Sequence, residues 1–339
     1  MRARLEKKLT GIWYGGTEPS LWLRSLVPIY SAASQLDRWR KTKQKCLDLE
    51  QACIIVIGNI TVGGSGKTPL VVRLCQMLAQ VGLSPGVVSR GYGRKKEDLR
   101  LVSPASDPAT VGDEPLLIAR RVNAPVMVAA DRCAAARALL KKHVNVIISD
   151  DGLQHYRLPR DIEICVVDGA RGFGNGLGLP AGPLREPVKR LSSVDHVVVN
   201  GESNCLPAEI EAQHMQLVPG MLRSLGDDLA WRLAQFKGCK VNAVAGIGNP
   251  QQFFTLLENH GITTIGHAFP DHHNFSEDDF AGMNKDLPIV MTEKDAVKCS
   301  GLSLKNAWFL TVDAVLPSDW EAGLMRQIVH AVNGTGQTK

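Results

Sequence analysis

The sequence predicts an α/β protein whose mostly parallel sheet carries helices on both faces, followed by a second, smaller α/β domain. Short apolar segments typical of buried strands recur along the 339-residue chain, and helical stretches lie between them. The 44% hydrophobic content is enough for the cores of one large or two smaller domains. The alternation weakens from residue 206 to 238 and restarts near residue 241, which indicates two such units.

Each predicted strand is a short apolar segment. In chain order the segments are 53–57, 86–89, 125–129, 144–149, 162–167, 196–200, 241–246, 263–265, 289–292 and 308–312. We therefore predict an N-terminal segment over 1–50, a first α/β domain over 51–225, and a smaller α/β domain over 226–330 that closes over the active site. Because ligands bind at the carboxyl ends of parallel strands, polar residues that follow strands are the candidate site residues.

Positive charge is concentrated in the N-terminal segment. Residues 1–50 carry ten Lys and Arg against five Asp and Glu, so the whole formal excess of +5 lies there. The apolar segment 21–30 is interrupted by Arg24 and Pro28 and is shorter than the roughly 20 residues needed to cross a bilayer. We predict a helix that lies on an anionic membrane surface, with Trp22 and Tyr30 at headgroup depth. The alternative is a helix packed on the protein's own core with a solvated basic flank.

The spacing of the cysteines argues against a disulfide or metal-binding framework. The eight cysteines never form a C-x-x-C pair, and several fall inside strand or helix patterns. This pattern predicts reduced core residues of a cytosolic protein, not a disulfide or zinc framework. No cleavable signal is evident at the N-terminus. We expect no nucleic-acid partner and infer no obligate protein partner.

The most informative stretch is 58–69, Gly-Asn-Ile-Thr-Val-Gly-Gly-Ser-Gly-Lys-Thr-Pro, between a strand and a helix. Backbone N–H groups of such a loop can point at phosphate oxygens, and the helix N-terminus adds positive charge. The motif predicts that Lys67 reaches the β and γ phosphates of ATP and that Thr68 holds Mg²⁺. The predicted nucleotide-binding residues are Thr61, Val62, Gly63, Gly64, Ser65, Gly66, Lys67 and Thr68. Thr61 departs from the glycine that the P-loop pattern has there, and a glycine-rich turn that merely precedes Lys-Thr is the alternative.

Carboxylates follow two other segments. Asp150 and Asp151 end the apolar strand 144–149 in the manner of a Walker B element, and hard cations prefer such oxygen ligands. The alternative is a strand-end Asp that caps a helix. Asp113 and Glu114 lie in a turn ahead of a helix, where they could serve as a base or metal-water ligand, or could complement the helix dipole. His272, in the second unit, could reach the phosphate site across a cleft or be structural.

A long loop rich in Gly and Pro runs from 172 to 187 and ends in an Arg-Glu pair, Arg185 and Glu186. Long ordered loops usually serve binding, although a plain surface excursion is the alternative. Arg90 and Arg132 add cations at strand ends, where they suit phosphates or an anionic substrate.

Together these segments resemble the tetraacyldisaccharide 4′-kinase family. The matching segments span nearly the whole chain and are 58–69, 89–93, 112–115, 131–132, 150–155, 179–187, 269–272 and 292–297. The P-loop with threonine at its first position and the Leu-Pro-Ala-Gly-Pro-Leu-Arg-Glu-Pro run are jointly specific. On this resemblance Thr61 is the family's own form of the motif.

The resemblance implies ATP-dependent phosphorylation of the 4′-hydroxyl of a tetraacylated glucosamine disaccharide 1-phosphate, a lipid A precursor, on the cytosolic face of the bacterial inner membrane. ATP and Mg²⁺ would be the cofactors. The catalytic aspartate falls on Asp113 and its partner histidine on His272, which act with Lys67. The other positions implied are Arg132 as a catalytic donor, Asp150, Asp151 and Glu186 with Thr68 at the metal, and Arg90, His155 and Arg185 at the substrate.

Two other function classes compete with this interpretation. A P-loop GTPase or metal-delivery switch would bind nucleotide in order to change partners, but guanine selection uses [NT]-K-x-D, and the nearest string, 292–295, has the wrong spacing. A soluble small-molecule kinase would have an N-terminal helix that is only structural. Dependence of activity on detergent or lipid separates it from a lipid kinase.

Overall fold

The computed structural model of the protein describes residues 9–46, 48–94, 96–203, 205–271 and 273–335. Its strands are β1 (Cys53–Gly58), β2 (Pro85–Ser89), β3 (Arg100–Val102), β4 (Val126–Val128), β5 (Val146–Ser149), β6 (Ile162–Asp168), β7 (His196–Asn200), β8 (Gln213–Ser224), β9 (Ala230–Arg232), β10 (Lys240–Ala245), β11 (Thr263–Ala268), β12 (Ile289–Thr292) and β13 (Ala307–Val315). Its helices are α1 (Leu21–Lys43), α2 (Lys67–Gln80), α3 (Pro108–Val111), α4 (Asp113–Arg121), α5 (Arg132–Leu140), α6 (Pro250–Asn259), α7 (Asp278–Ala281), α8 (Glu293–Cys299) and α9 (Ser318–Thr335). Residues 9–14 are also helical, and 3₁₀ turns cover Val188–Ser193 and Leu233–Phe236.

The strands form one sheet in the order β11-β10-β12-β13-β8-β7-β6-β1-β5-β2-β4-β3, with β9 on β8. Neighbours from β7 to β4 are parallel, as are β11, β10, β12 and β13. The predicted mixed α/β fold with a large, mostly parallel sheet is therefore confirmed. Every strand expected from an apolar segment is present, because strands buried on both faces are continuous apolar runs.

Three strands were not predicted, namely β3, β8 and β9, and of these β8 joins the two units. β8 pairs in parallel with β7 at its start and antiparallel with β13 along its length, so the sheet does not break. Only Met215 and Leu222 of its twelve residues are buried, and Pro219 and Gly220 interrupt it. Neither a continuous apolar run nor a clean alternation was present to predict it. The domain boundary proposed at residue 225 lies directly after this shared strand.

The core of the first unit has two layers. Ile55 and Ile57 of β1 face the layer that α2, α4 and α9 cover, and Ile54 and Val56 face the layer of α5. The C-terminal helix α9 thus returns to the first unit. It is also held there by a two-bond ion pair in which Arg73 Nε and Nη2 lie 2.8 and 2.6 Å from the carboxylate oxygens of Glu321.

The helix α1 lies on the surface. Within it only Leu23 is buried, against Ala181 of the 172–187 loop. Its large exposed apolar side chains are Leu21, Trp22, Ile29, Leu36 and Trp39. Among the residues described, no helix is both long enough and apolar enough to cross a membrane.

The prediction that all eight cysteines are reduced is wrong for one pair. Cys46, after α1, and Cys133, in the first turn of α5, form a disulfide with their Cα atoms 6.2 Å apart. The two residues are 87 positions apart, and only the packing of the 44–49 segment on α5 brings them together, so no local motif announced the bond. The other six cysteines are free.

Candidate active site

The P-loop connects β1 to α2 in a conformation that requires glycine. Gly63 and Gly66 have φ of 112° and 86°, in the region that side chains rarely adopt. A Cβ on Gly66 would also lie 2.7 Å from Nδ2 of Asn200. Inside the turn, Asn59 Nδ2 donates to the carbonyl of Gly63 at 3.1 Å. The loop therefore exposes its backbone at the N-terminus of α2, as phosphate binding requires.

The end of the 172–187 loop braces the P-loop. Val62 N–H donates to the Pro183 carbonyl at 2.9 Å, and Arg185 N–H donates to the Ile60 carbonyl at 2.8 Å. Between these bonds Thr61 is buried and forms an antiparallel bridge with Leu184. A β-branched residue suits such an extended, buried position better than glycine does. This explains physically why Thr61 departs from the general P-loop pattern.

Asp151, the second of the two acids that follow β5, contacts the P-loop lysine. β5 is the parallel neighbour of β1, so Asp151 follows its strand at the edge where the P-loop begins. Lys67 Nζ lies 3.2 Å from Asp151 Oδ1, and Arg185 Nη1 lies 3.3 Å from Oδ2. Burial alone would raise the pKa of Asp151, but the charges of Lys67, Arg185 and Arg132 lower it below its ordinary value. Its φ of 47° lies in the left-handed region, which residues with side chains adopt uncommonly and which Asp tolerates better than most.

Asp150 is the buried member of the pair. Its Oδ2 accepts a 3.3 Å hydrogen bond from Ser89, and its Oδ1 is buried with no hydrogen-bond partner among the residues that the structure describes. Burial, together with the negative charges of Glu114 and Asp151, raises the pKa of Asp150 to about 7. A buried, unpartnered carboxylate oxygen near the first turn of α2 fits a hard cation, which prefers oxygen ligands.

The predicted donors occupy different positions around these acids. Arg132, buried at the start of α5, donates from Nη2 to the backbone carbonyls of Asp150 and Asp151 at 3.0 and 2.8 Å. Arg90 is exposed, with its Nη2 3.4 Å from Glu97. His155 lies beside Asp131 and Cys133, with a side-chain N, O or S atom of each within 4.8 Å of the others, but the Cys133 sulfur is in the disulfide and is not a metal ligand. Burial and the nearby charge of Arg132 lower the pKa of His155 to about 3, so its ring is neutral at pH 7.

Glu186, predicted to lie at the metal, already has protein partners. Its Oε1 accepts from Gln154 at 2.8 Å, its Oε2 accepts from the Tyr156 hydroxyl, and Arg190 Nε lies 3.4 Å from Oε2. As a metal ligand it would have to exchange these partners for the ion. Gln154 also donates to the Asn59 carbonyl at 3.0 Å, so this carboxylate is linked to the base of the P-loop.

Asp113 and Glu114 begin α4, and the second unit reaches them. Lys294 of α8 lies 3.5 Å from Glu114 and 3.3 Å from Asp271. His272, the predicted partner of Asp113, lies outside the described residues. Asp295 is fully buried, with its Oδ2 bound by Gly246 N–H at 2.8 Å and by the Thr292 hydroxyl at 2.6 Å. The 292–295 string therefore serves the fold, which further disfavours guanine recognition.

Some residues at the site were not predicted from the sequence. Arg171 stands against Gly63 of the P-loop and donates to the Gly248 carbonyl at 2.9 Å, so it links the two units. Asn200 at the end of β7 packs against Gly66. Lys294 joins α4 to residue 271. The signal available for Arg171 and Asn200 was their position at or soon after a strand end, which was used only for residues in recognised motifs.

Comparison with known proteins agrees with this geometry. A model of the tetraacyldisaccharide-1-P 4′-kinase family matches residues 19–329. The chain belongs to this family. Relatives named tetraacyldisaccharide 4′-kinase include one from Alkalilimnicola ehrlichii, 53% identical over 77% of this chain and 78% of the relative, and one from Hahella chejuensis, 48% identical over 91% and 92%.

A member of the tetraacyldisaccharide-1-P 4′-kinase family has also been solved. The crystal structure of LpxK from Aquifex aeolicus in complex with ATP superposes with a TM-score of 0.73 at 26% sequence identity. The match covers 92% of this chain and all of that chain. The shared fold therefore extends over 92% of this chain, well beyond the P-loop.

Proposed function

We propose that this protein transfers the γ-phosphate of ATP to the 4′-hydroxyl of a tetraacyldisaccharide 1-phosphate, the lipid A precursor. The observation that carries the proposal is the contact of Lys67 with Asp151, which puts a phosphate-binding cation and the strand-end acids at one edge of the sheet. Family membership supplies the acceptor class. Phosphoryl transfer depends on positioning and charge neutralisation, and this edge provides both.

Nucleotide binding is assigned to residues 61–68. The N–H groups of the loop and of the first turn of α2 would bind phosphate oxygens. Lys67 would leave Asp151 for the β and γ phosphates, while Arg185 keeps Asp151 paired. The 26%-identical LpxK was solved with ATP, which supports ATP as the nucleotide.

The metal site would be formed by Thr68 and Asp150, with Asp151 close by. The unpartnered Oδ1 of Asp150 is the observation that favours it, since a buried carboxylate oxygen without a partner is costly unless a cation or proton meets it. Bound Mg²⁺ would neutralise phosphate charge during transfer. Arg132 would fix the backbone of both acids through their carbonyls. We assign Glu186 to holding Gln154 beside the P-loop.

Asp113 would accept the proton of the attacking sugar hydroxyl, with His272 as its partner. Asp113 begins α4, and Lys294 carries a pKa raised by Glu114, Asp271 and Asp113 despite the opposing effect of burial. The base therefore lies in the electrostatic range of a group that also contacts residue 271. Arg90, His155 and Arg185 remain the proposed substrate-binding residues, with the exposed Arg90 suited to an anionic group that arrives from solvent.

The helix α1 would hold the protein on the cytosolic face of the inner membrane. Trp22 is 65% exposed and Ile29 is 64% exposed, so the outer face of α1 carries large apolar side chains that lipid could cover. Arg40, Lys41 and Lys43 follow in its last turn, where they can face anionic lipid. Its inner face meets the loop that braces the P-loop, so an acylated acceptor would be presented next to the nucleotide.

Sedimentation with vesicles tests this placement. The protein is expected to sediment with vesicles that contain anionic lipid, and high salt should weaken this binding without abolishing it, because apolar burial of Trp22 and Ile29 survives screening. Replacing Trp22 and Ile29 by Ser should reduce sedimentation more than the same change at the half-buried Val27. Equal sedimentation of wild type, the Trp22 and Ile29 double variant and the Val27 variant would contradict the interfacial role of α1.

The activity itself is tested with purified protein, γ-labelled ATP and a panel of acceptors. Label is expected in the tetraacyldisaccharide 1-phosphate and absent from soluble sugars. Transfer to soluble sugars without dependence on lipid or detergent would favour a small-molecule kinase instead. Hydrolysis of nucleotide without any acceptor product would favour a nucleotide-dependent switch.

A further inference from the structure

Helix α8 contacts both of the segments that carry the proposed base and its partner. Lys294 Nζ lies 3.5 Å from Glu114 Oε1 and 3.3 Å from Asp271 Oδ1. Glu114 is the residue after Asp113, and Asp271 is the residue before His272. One ammonium group therefore ties two chain segments at points one residue away from each member of the proposed pair.

The position of this ammonium group is fixed by the residues around it. Thr292 caps α8 through the Asp295 N–H at 3.2 Å, and the buried Asp295 binds Gly246 N–H at the end of β10. Asp295 is in turn paired with Lys298, Nζ to Oδ1, at 2.7 Å. The first turn of α8 is thus anchored in the core of the second unit, and Lys294 projects from a rigid helix.

A second contact fixes α8 against α4 at the other end. Arg121, in the last turn of α4, lies 2.7 Å from Glu293 through Nη1 and also pairs with Asp313 of β13. The helix that begins with Asp113 is consequently held by α8 at its first and last turns. Lys294 itself is mostly buried, with its side chain 20% exposed, so its two ion pairs are screened less than surface pairs are.

We propose that Lys294 is a positioning residue for phosphoryl transfer: its bridge from Glu114 to Asp271 sets the distance between the segments that carry Asp113 and His272. This proposal rests on the proposed function. The rate of phosphoryl transfer is sensitive to the distance between these two segments, because a displacement of about 1 Å remote from the reacting atoms can cost ~100-fold in rate. Lys294 contacts neither nucleotide-binding loop nor strand-end acid in the contacts described, so its loss should spare ATP binding.

The test compares Lys294→Met, Lys294→Arg and Lys285→Met, the last being an exposed lysine of the same unit. Lys294→Met is expected to lower kcat about 10- to 100-fold with KM for ATP changed less than about twofold. Lys294→Arg, which keeps the charge, should recover most of kcat, and Lys285→Met should match wild type. Wild-type kcat in Lys294→Met, or an equal loss of ATP affinity, would overturn the proposal.

Hydrogen exchange separates this proposal from the proposed function, since it needs no acceptor. Hydrogen-bonded amides of 266–269 and 116–119 should exchange about tenfold faster in Lys294→Met than in wild type and in Lys285→Met. Unchanged exchange refutes the bridge even if the enzyme is a lipid kinase, whereas faster exchange in a protein that phosphorylates no lipid refutes only the function. If Lys294→Met fails to fold, Asp271→Asn breaks the other end of the bridge and must give the same pattern.

Discussion

Alanine in place of Lys67 is expected to lower turnover by at least ~10²- to 10³-fold, the usual cost of removing one preorganised electrostatic donor. Lys67 is the group that would neutralise charge on the β and γ phosphates as the γ-phosphoryl group leaves. The fold should survive, because Asp151 keeps its 3.3 Å contact with Arg185 after the lysine is lost. Steady-state kinetics with saturating ATP measure the effect, and circular dichroism and thermal unfolding verify the fold.

Lys189→Ala is the matched control, since this lysine belongs to the same unit but is exposed. Its turnover should equal that of wild type. A well-folded Lys67→Ala protein with wild-type kinetics would show that residues 61–68 are not the nucleotide site. A fall in both proteins would instead indicate a general effect of lowering the net charge.

Removing the base is the second large effect. Asp113→Ala and His272→Ala are each expected to reduce kcat by about 10²- to 10⁴-fold, the range typical of a general base, while ATP affinity changes little. Both residues are proposed to act on the acceptor hydroxyl and neither on the nucleotide. Turnover at saturating ATP and acceptor, together with direct titration of ATP binding, separates the two quantities.

The double variant tests whether the two residues act as one unit. Residues that work together lose their joint contribution once, so the combined loss should be smaller than the product of the single losses. Asp228→Ala, at an exposed aspartate far along the chain, serves as the control for a changed charge. Multiplicative losses would argue against an Asp113–His272 pair.

Much of this architecture is encoded locally. The parallel strands β1, β2, β4, β5, β6 and β7 were predicted because a parallel strand covered on both faces must be apolar throughout, as residues 53–57 are. Lys67, Asp150 and Asp151 were found for the same reason: they follow strands that pair side by side, so neighbours in the sheet are neighbours in the site. For these residues, knowing that each follows a strand was enough to predict that they meet at one edge of the sheet.

Other features depend on contacts that no local pattern carries. β8 is half exposed and is fixed by pairing with β7 and β13, so the pattern of its own residues did not predict a strand. The Cys46–Cys133 bond required two segments to pack before the sulfurs could meet. The role of Lys294 could not be predicted from the sequence, because its partners Glu114 and Asp271 lie in different parts of the chain and meet it only in the folded protein.

The return of α9 to the first unit affects how the protein can be made. Leu324 and Ile328 complete the layer over Leu70, Leu74 and their neighbours on the first sheet half. A ribosome releases the chain from the N-terminus, so this apolar layer stays uncovered until residues 318–335 have emerged, long after its strands and α2 have been synthesised. The first unit cannot complete its core until residues 318–335 have emerged, and before that its incomplete face is exposed apolar surface that favours aggregation or chaperone binding.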